Sequence, residues 1–297
     1  MLPVGEDLTA LVRDELESHG LPSRAGLVPL AGGMNSWTAR VTTPDLDAIV
    51  KCVPLKDAQE LRRGAEVSAV LADQGLVTGR PIPLRDGELV RVLPWGAMTL
   101  MEYVPGRELT SGPEDQRRLA EGLSQVHAAG GLTLRQAPFM SYLGDDPALA
   151  RHGAWILPAI HAAVGEYRSL PPTPWGTING DPSLDSFLLD ESTGRLGIID
   201  WAGETTGPVL YDVASAVMYV GGLRPAAPFL AAYSRAGLLD RTMLDAHLPV
   251  FRRFRAAVQA DYFARRLSAG DATGISDLQE NAQGLEDARG MLEEFDD

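Results

Sequence analysis

The stretch TINGDPSLDSFLLDESTGRLGIIDWAGETTGPVLYD, Thr177 to Asp212, decides how the chain is read. It holds two acidic clusters, each beside a short β-type run. Asn179-Gly180-Asp181 follows an extended segment, and Phe187-Leu188-Leu189 reads as a short strand. Asp190 to Gly194 supplies a turn, with Gly194 able to take the positive φ that a tight reversal often needs. Arg195-Leu196-Gly197-Ile198-Ile199 then leads into Asp200-Trp201. A hairpin is therefore predicted that brings Asp181 and Asp200 towards one edge, where paired carboxylates are candidates for holding a divalent metal. Taken singly, each aspartate reads as an ordinary turn or strand-end acid. The ordered pair carries the information.

The bounds set by composition are broad. At 297 residues the chain has the length for one large domain or two lobes, and 45% apolar with 22% charged residues is ordinary for a globular protein. No apolar run reaches the roughly 20 residues of a membrane span. The opening MLPVGEDLTALVRDELESHG lacks a basic start followed by an apolar stretch, so no signal peptide is read and a cytoplasmic location is expected. A single cysteine, Cys52, excludes an intrachain disulfide and a cysteine-based metal cluster. The formal net charge of −14 argues against nucleic acid as the main partner. It suits a cationic substrate or simple solubility, and much of the excess lies between Asp277 and Asp297.

Upstream, Leu8 to His19 has helical spacing. Gly26 to Leu30, a Gly-rich turn with Gly32 and Gly33, and Trp37 to Val41 read as a hairpin whose glycines permit backbone N–H groups to approach phosphates closely. Ala48 to Val53 is an apolar strand interrupted by Lys51, and a helical pattern runs from Ala58 to Gln74. Extended segments follow around Val77–Pro83 and Glu88–Leu93. Met98 to Val104 is a further strand, broken by Pro105-Gly106. From Pro113 the period turns helical, with His127 a packed or capping side chain. Helical patterns cover Pro147–Tyr167, Val213–Val220, Pro225–Ala236, Met243–Leu267 and Leu278–Phe295, with a loop from Gly203 to Pro208.

These landmarks, in this order, resemble the aminoglycoside phosphotransferase and choline kinase group. That group carries His-Gly-Asp, four residues, then Asn, followed by a hairpin ending in Ile-Asp-Trp or Ile-Asp-Phe. The matching residues are Asn179-Gly180-Asp181, Ser186 and Ile199-Asp200-Trp201, with Asn179 in place of His and Ser186 in place of the metal-binding Asn. Pro208-Val209-Leu210-Tyr211-Asp212-Val213-Ala214 resembles the group's Pro-x-x-Tyr-Asp-Leu-Ala element, where Asp212 could cap a helix and brace the catalytic loop.

The resemblance implies a bilobal, α+β, protein kinase-like fold. A small N-lobe with an antiparallel sheet (1–103) would bind nucleotide, and a mostly helical C-lobe (104–297) would carry the catalytic loop and the acceptor. It implies transfer of the γ-phosphoryl group of ATP or GTP to a hydroxyl, with Mg2+. Asp181 would accept the hydroxyl proton and Asp200 would ligate the metal, joined by Ser186 or, one residue earlier, Asp185. Lys51 would meet the phosphates and pair with Glu66 of the following helix, with Glu60 the fallback. The backbone of Glu102 and Val104 would bond the adenine edge. Three acceptor readings follow: a small molecule such as an antibiotic or metabolite, Ser/Thr of a biosynthetic precursor peptide, or a pseudokinase that binds a partner without turnover.

Overall fold

The computed structural model describes residues 2, 6–22, 25–30, 35–130, 136–137, 139–201, 205–275 and 277–295. Gly32 and Gly33 lie outside them. In chain order the described elements are α1 (Glu6–Ser18), β1 (Gly26–Leu30), β2 (Trp37–Thr43), β3 (Leu46–Val53), α2 (Ala58–Asp73), β4 (Arg91–Leu93), β5 (Gly96–Glu102) and β6 (Arg107–Glu108). There follow α3 (Pro113–Ala128), α4 (Phe139–Tyr142), α5 (Ile156–Ser169), β7 (Trp175–Ile178), β8 (Phe187–Leu189), β9 (Leu196–Ile198) and β10 (Thr205–Pro208). The chain closes with α6 (Val209–Tyr219), α7 (Ala227–Arg235), α8 (Arg241–Ala269) and α9 (Gln279–Glu293).

Two compact units are formed. One comprises residues 1–107, 188–203 and 273–275; the other comprises 108–187, 204–272 and 276–297. The expected division was continuous, at 103/104. The chain is instead interleaved, because the segment around β9 is tied to the first unit. Ile198 N–H donates to Val77 O at 2.8 Å and the Trp201 indole donates to Thr78 O at 3.2 Å. Asp200 thereby belongs to the first unit, not to the one that carries Asp181.

The first unit is built on a five-stranded antiparallel sheet of order β1-β2-β3-β5-β4. Alternation along β3 separates its two faces. Ala48, Val50 and Cys52 are buried against Leu8, Val12 and Leu16 of α1. Each of the larger side chains, Val50, Leu8, Val12 and Leu16, contributes about 1.5–3 kcal/mol by leaving water. Ile49, Lys51 and Val53 point to the other face, where Leu61 and Ala65 of α2 pack with Val53 and Ala97. Lys51 is thus placed by strand alternation on the face opposite α1, between Ile49 and Val53. Burial also pushes the Cys52 thiol well above its usual range.

The second unit is mostly helical. Its long helix α8 starts where Asp240 accepts from Met243 N–H at 2.7 Å, and it stops at Gly270, whose φ of 61° a side chain would disfavour. Tyr211, Tyr167, Phe139, Phe251 and Phe254 form an aromatic core, with the Phe139 and Tyr211 rings stacked at 4.5 Å. Two elements depart from expectation. Pro147–Tyr167 is not one helix: a 3₁₀ turn over Pro147–His152 precedes α5, and at Gly153 a Cβ would stand 2.6 Å from the Trp155 indole nitrogen. The 203–208 loop contains β10, which pairs antiparallel with β7. There Gly207 lets Ile178 lie where a Cβ would stand 2.7 Å from its Cδ1.

Gly197 makes a very close approach within the first unit. A Cβ there would stand 2.3 Å from Val104 Cγ1, and a β-branched neighbour cannot swing away. Gly197→Ala is expected to lower stability by about 1–3 kcal/mol in urea denaturation. An unchanged midpoint would show that the β9 segment is not held as described.

Candidate active site

Lys51 and Asp200 meet within the first unit. Lys51 Nζ lies 2.5 Å from Asp200 Oδ1, the ammonium largely covered and the carboxylate about half exposed. Both flanks of Asp200 are anchored. Ile198 N–H holds Val77 O, and Trp201, 4% exposed, donates its indole N–H to Thr78 O and to Ile198 O at 2.9 Å. Between these anchors Asp200 takes φ 64°, the one positive φ at a non-glycine position among the described residues. Aspartate tolerates that region better than most residues, and backbone strain held by its surroundings concentrates at functional positions.

Glu66 is a correction. It is exposed on α2, whereas the packed face carries Leu61, Gly64, Ala65, Ser68 and Leu71. Helical geometry turns residue 66 well away from that stripe. Among the described residues Lys51 pairs with Asp200 instead. The fallback, Glu60, lies 3.6 Å from Arg63.

At the end of β5 the backbone donors differ in how they are used. Glu102 N–H donates to Arg80 O at 2.9 Å and Tyr103 N–H to Asp47 O at 3.2 Å. The N–H of Val104, a residue only 6% exposed, has no partner among the described residues. A buried donor left unpaired is costly unless a ligand completes it.

In the second unit the segment after β7 is shaped by one buried carboxylate. Asp212 on α6 accepts Asn179 N–H at 2.6 Å and Gly180 N–H at 3.0 Å. His127 Nε2 lies 3.1 Å from the same carboxylate, and its Nδ1 lies 2.5 Å from the Tyr233 hydroxyl. With Nε2 donating to the carboxylate, Nδ1 is left to accept the phenol proton. Burial, then the Asp212 charge, pushes Tyr233 up and keeps that proton in place. His127 is therefore structural, and Asp212 braces the loop rather than capping α6, which starts at Val209. Gly180 takes φ 89°, and Asp181 N–H closes onto Asn179 Oδ1 at 3.1 Å. Asn179 so supports the loop through its carbonyl, while its buried Nδ2 has no partner among the described residues.

The Asp181 carboxylate is 62% exposed, yet it is gripped from two sides. Arg255 Nη2 of α8 lies 3.0 Å from Oδ1, and the Tyr219 hydroxyl of α6 donates to the same oxygen. Burial, with the negative Asp181, pushes Tyr219 far above the usual phenol range, so it remains the donor. Sequence reading missed both residues. The legible signal was Arg255 itself, a charge on the apolar stripe of Leu248, Phe251 and Phe254. Ser186 is buried with its hydroxyl 2.9 Å from that of Ser183, and Ser183 donates to the exposed Asp185. No group of three or more His, Cys, Asp or Glu side chains gathers as a metal cluster among the described residues.

An antiparallel-sheet unit with a paired lysine and aspartate and a mostly helical unit with a braced Asn-Gly-Asp loop are the two parts of a protein kinase-like fold. The profile of the phosphotransferase enzyme family matches residues 26–250, and the chain belongs to that family. It is 26% identical over 155 residues to a homoserine kinase of Caulobacter vibrioides, covering 48% of this chain. The match spans 49% of that relative, so the chain spans about half the length of the named curated relatives it matches. It is 28% identical over 278 residues to an uncharacterized protein of Deinococcus radiodurans, covering 84% of this chain and 79% of that one. Among solved structures it resembles a microcompartment-associated aminopropanol kinase, with a TM-score of 0.72, 19% identity, and 96% and 95% of the two chains covered. An amicoumacin kinase in complex with AMP-PNP and Ca2+ gives a TM-score of 0.71, 14% identity, and 98% and 94% coverage. At these identities the solved structures define the fold. Among the described residues no helix is long and apolar enough to cross a membrane.

Asp212→Ala removes the acceptor for two backbone amides and for His127 at a fully buried position. It is expected to cost about 2–5 kcal/mol in thermal or urea unfolding. A change below about 0.5 kcal/mol would contradict the bracing role.

Proposed function

We propose that this protein is an ATP-dependent phosphotransferase that moves the γ-phosphoryl group to a hydroxyl of a small molecule. The observation that carries the reading is the retention of Lys51, Asp181 and Asp200, the first and last joined as an ion pair and the second on a braced loop. Family membership supports the same reaction class.

The donor chemistry fits a magnesium–nucleotide. The unpaired Val104 N–H, with the Glu102 carbonyl, suits an adenine edge, and the Lys51 ammonium suits phosphate oxygens. The half-exposed Asp200 carboxylate is a hard oxygen donor of the kind magnesium takes. Asp185, linked through Ser183 to Ser186, offers a carboxylate oxygen in place of the side-chain carbonyl that the Asn-to-Ser replacement removes. When bound, the metal neutralises charge on the phosphates. Asp181 orients the acceptor hydroxyl and takes its proton as the oxygen bonds to the γ-phosphorus and the bond to the departing ADP oxygen breaks. The Arg255 guanidinium and Tyr219 hydroxyl fix the orientation of that carboxylate. The reaction is expected in the cytoplasm, where ATP is abundant.

A small acceptor is favoured over a peptide. Helices α6, α8 and α9 surround a cavity of about 200 Å³, below the ~300–1,000 Å³ of sites for drug-sized ligands.

ADP release with a panel of amino alcohols and hydroxy acids tests the reading. Asp181→Asn is expected to lower kcat by about 10²–10⁴-fold, the range of general-base contributions, with nucleotide affinity retained. Asp185→Ala is expected to shift the magnesium dependence to higher concentration. An Asp181→Asn enzyme within tenfold of the parent would remove the proposed base. An unchanged magnesium dependence in Asp185→Ala would remove that ligand.

A further inference from the structure

The cavity in the second unit has a charge character that the chain as a whole does not. Its walls are Ala214 and Met218 of α6, Gly221 and Gly222, Arg252 and Arg255 of α8, and Met291, Glu294 and Phe295 at the end of α9. Two guanidinium groups and one carboxylate therefore face a space of about 200 Å³, in a chain whose formal net charge is −14. The two arginines are three residues apart on α8, so both lie on one helix face.

Their donors are unequally used. Arg255 gives one N–H each to Ser215 at 3.0 Å, Gln259 at 3.2 Å and Asp181 at 3.0 Å, which leaves two of its five. Arg252 makes one long contact, 3.5 Å, to Glu294, and its guanidinium lies 5.1 Å from the Phe295 ring. Its planar fork is largely unspent, and apart from Arg255 and Glu294 the other walls of the cavity are alanine, methionine, phenylalanine and glycine. A guanidinium in such a place matches a carboxylate through two parallel N–H···O bonds. A purely cationic acceptor would instead set its charge against two like charges at low dielectric.

We propose that this cavity is the acceptor site and that it takes a small hydroxyl compound bearing a carboxylate, with Arg252 as its anion-binding residue. The inference rests on Asp181 as the phosphotransfer base, because Arg255 both lines the cavity and contacts that carboxylate. The acceptor's carboxylate sits on Arg252, with the remaining Arg255 donors as the second arm. Met218, Met291 and Phe295 cover its carbon chain. An ammonium group, where the acceptor has one, is matched by Glu294. The acidity of the chain had suggested a cationic acceptor. The local lining points the other way because much of the acid lies elsewhere, as at the exposed Asp277, Glu280, Glu286, Asp287 and Glu293.

Matched pairs of ligands test this without relying on turnover. Homoserine and 3-aminopropan-1-ol share a hydroxyl, a chain and an ammonium and differ by one carboxylate; 4-hydroxybutyrate and 1-propanol, and serine and 2-aminoethanol, make further pairs. Binding to the full-length protein is measured by ligand-observed NMR, and ADP release is measured in parallel. At least one carboxylate-bearing member is expected to bind at least tenfold more tightly than its partner. Arg252→Gln should weaken that member roughly 10- to 100-fold, Arg252→Lys should weaken it less, and the decarboxylated partner should change little. No carboxylate-bearing member binding above its partner, or an Arg252→Gln variant indifferent to the carboxylate, would overturn the proposal. Carboxylate-dependent binding without ADP release would uphold this site and count against the phosphotransfer reading instead.

Discussion

One buried carboxylate governs the helical unit. Asp212 sits at 0% exposure and accepts two successive backbone amides and a histidine, and those bonds set the path of the chain just before Asp181. A carboxylate with that many donors is well compensated for leaving water, whereas removing it would orphan several polar groups at once. Tyr233, His127 and Asp212 form a chain of hydrogen bonds running from α7 through α3 to α6, so three helices converge on one short loop. The loop is precise because the helices are packed, not because its own residues are rigid.

The first unit has a comparable constraint in miniature. The β9 segment enters it through main-chain bonding to Val77 and a tryptophan wedged onto Thr78, and Asp200 is presented in a left-handed backbone conformation between these anchors. Lys51 arrives from the adjacent face of β3 because strand alternation assigns it there. Two independent local rules, side-chain alternation and an anchored turn, therefore place an ammonium and a carboxylate 2.5 Å apart. Under the proposed function, this ion pair offers a magnesium–nucleotide two complementary handholds within the first unit.

Most of this was legible in the residues. The Asn-Gly-Asp and Ile-Asp-Trp landmarks, the lysine strand and the packed His127 all read from local pattern and order. What was not legible came from tertiary packing. Glu66 looked placed for Lys51 by sequence position, yet helical phase turned it outward. The division of the chain looked continuous, yet hydrogen bonds between Val77–Thr78 and Ile198–Trp201 interleaved it. Arg255 and Tyr219 meet Asp181 across 74 and 38 residues of chain, and no local window contains such pairs. A buried arginine on an apolar helical stripe was the one available clue. It becomes readable only once buried charge is expected to need a partner.

The central claim is that the first unit holds a magnesium–nucleotide through Lys51 and Asp200. Calorimetric titration with ATP, with and without magnesium, beside Asp200→Asn and Lys51→Ala, tests it most directly. The account predicts binding that strengthens with magnesium, loses that magnesium dependence in Asp200→Asn, and weakens in Lys51→Ala whether or not the metal is present. Binding indifferent to magnesium and to both substitutions, or no binding at all, would contradict it.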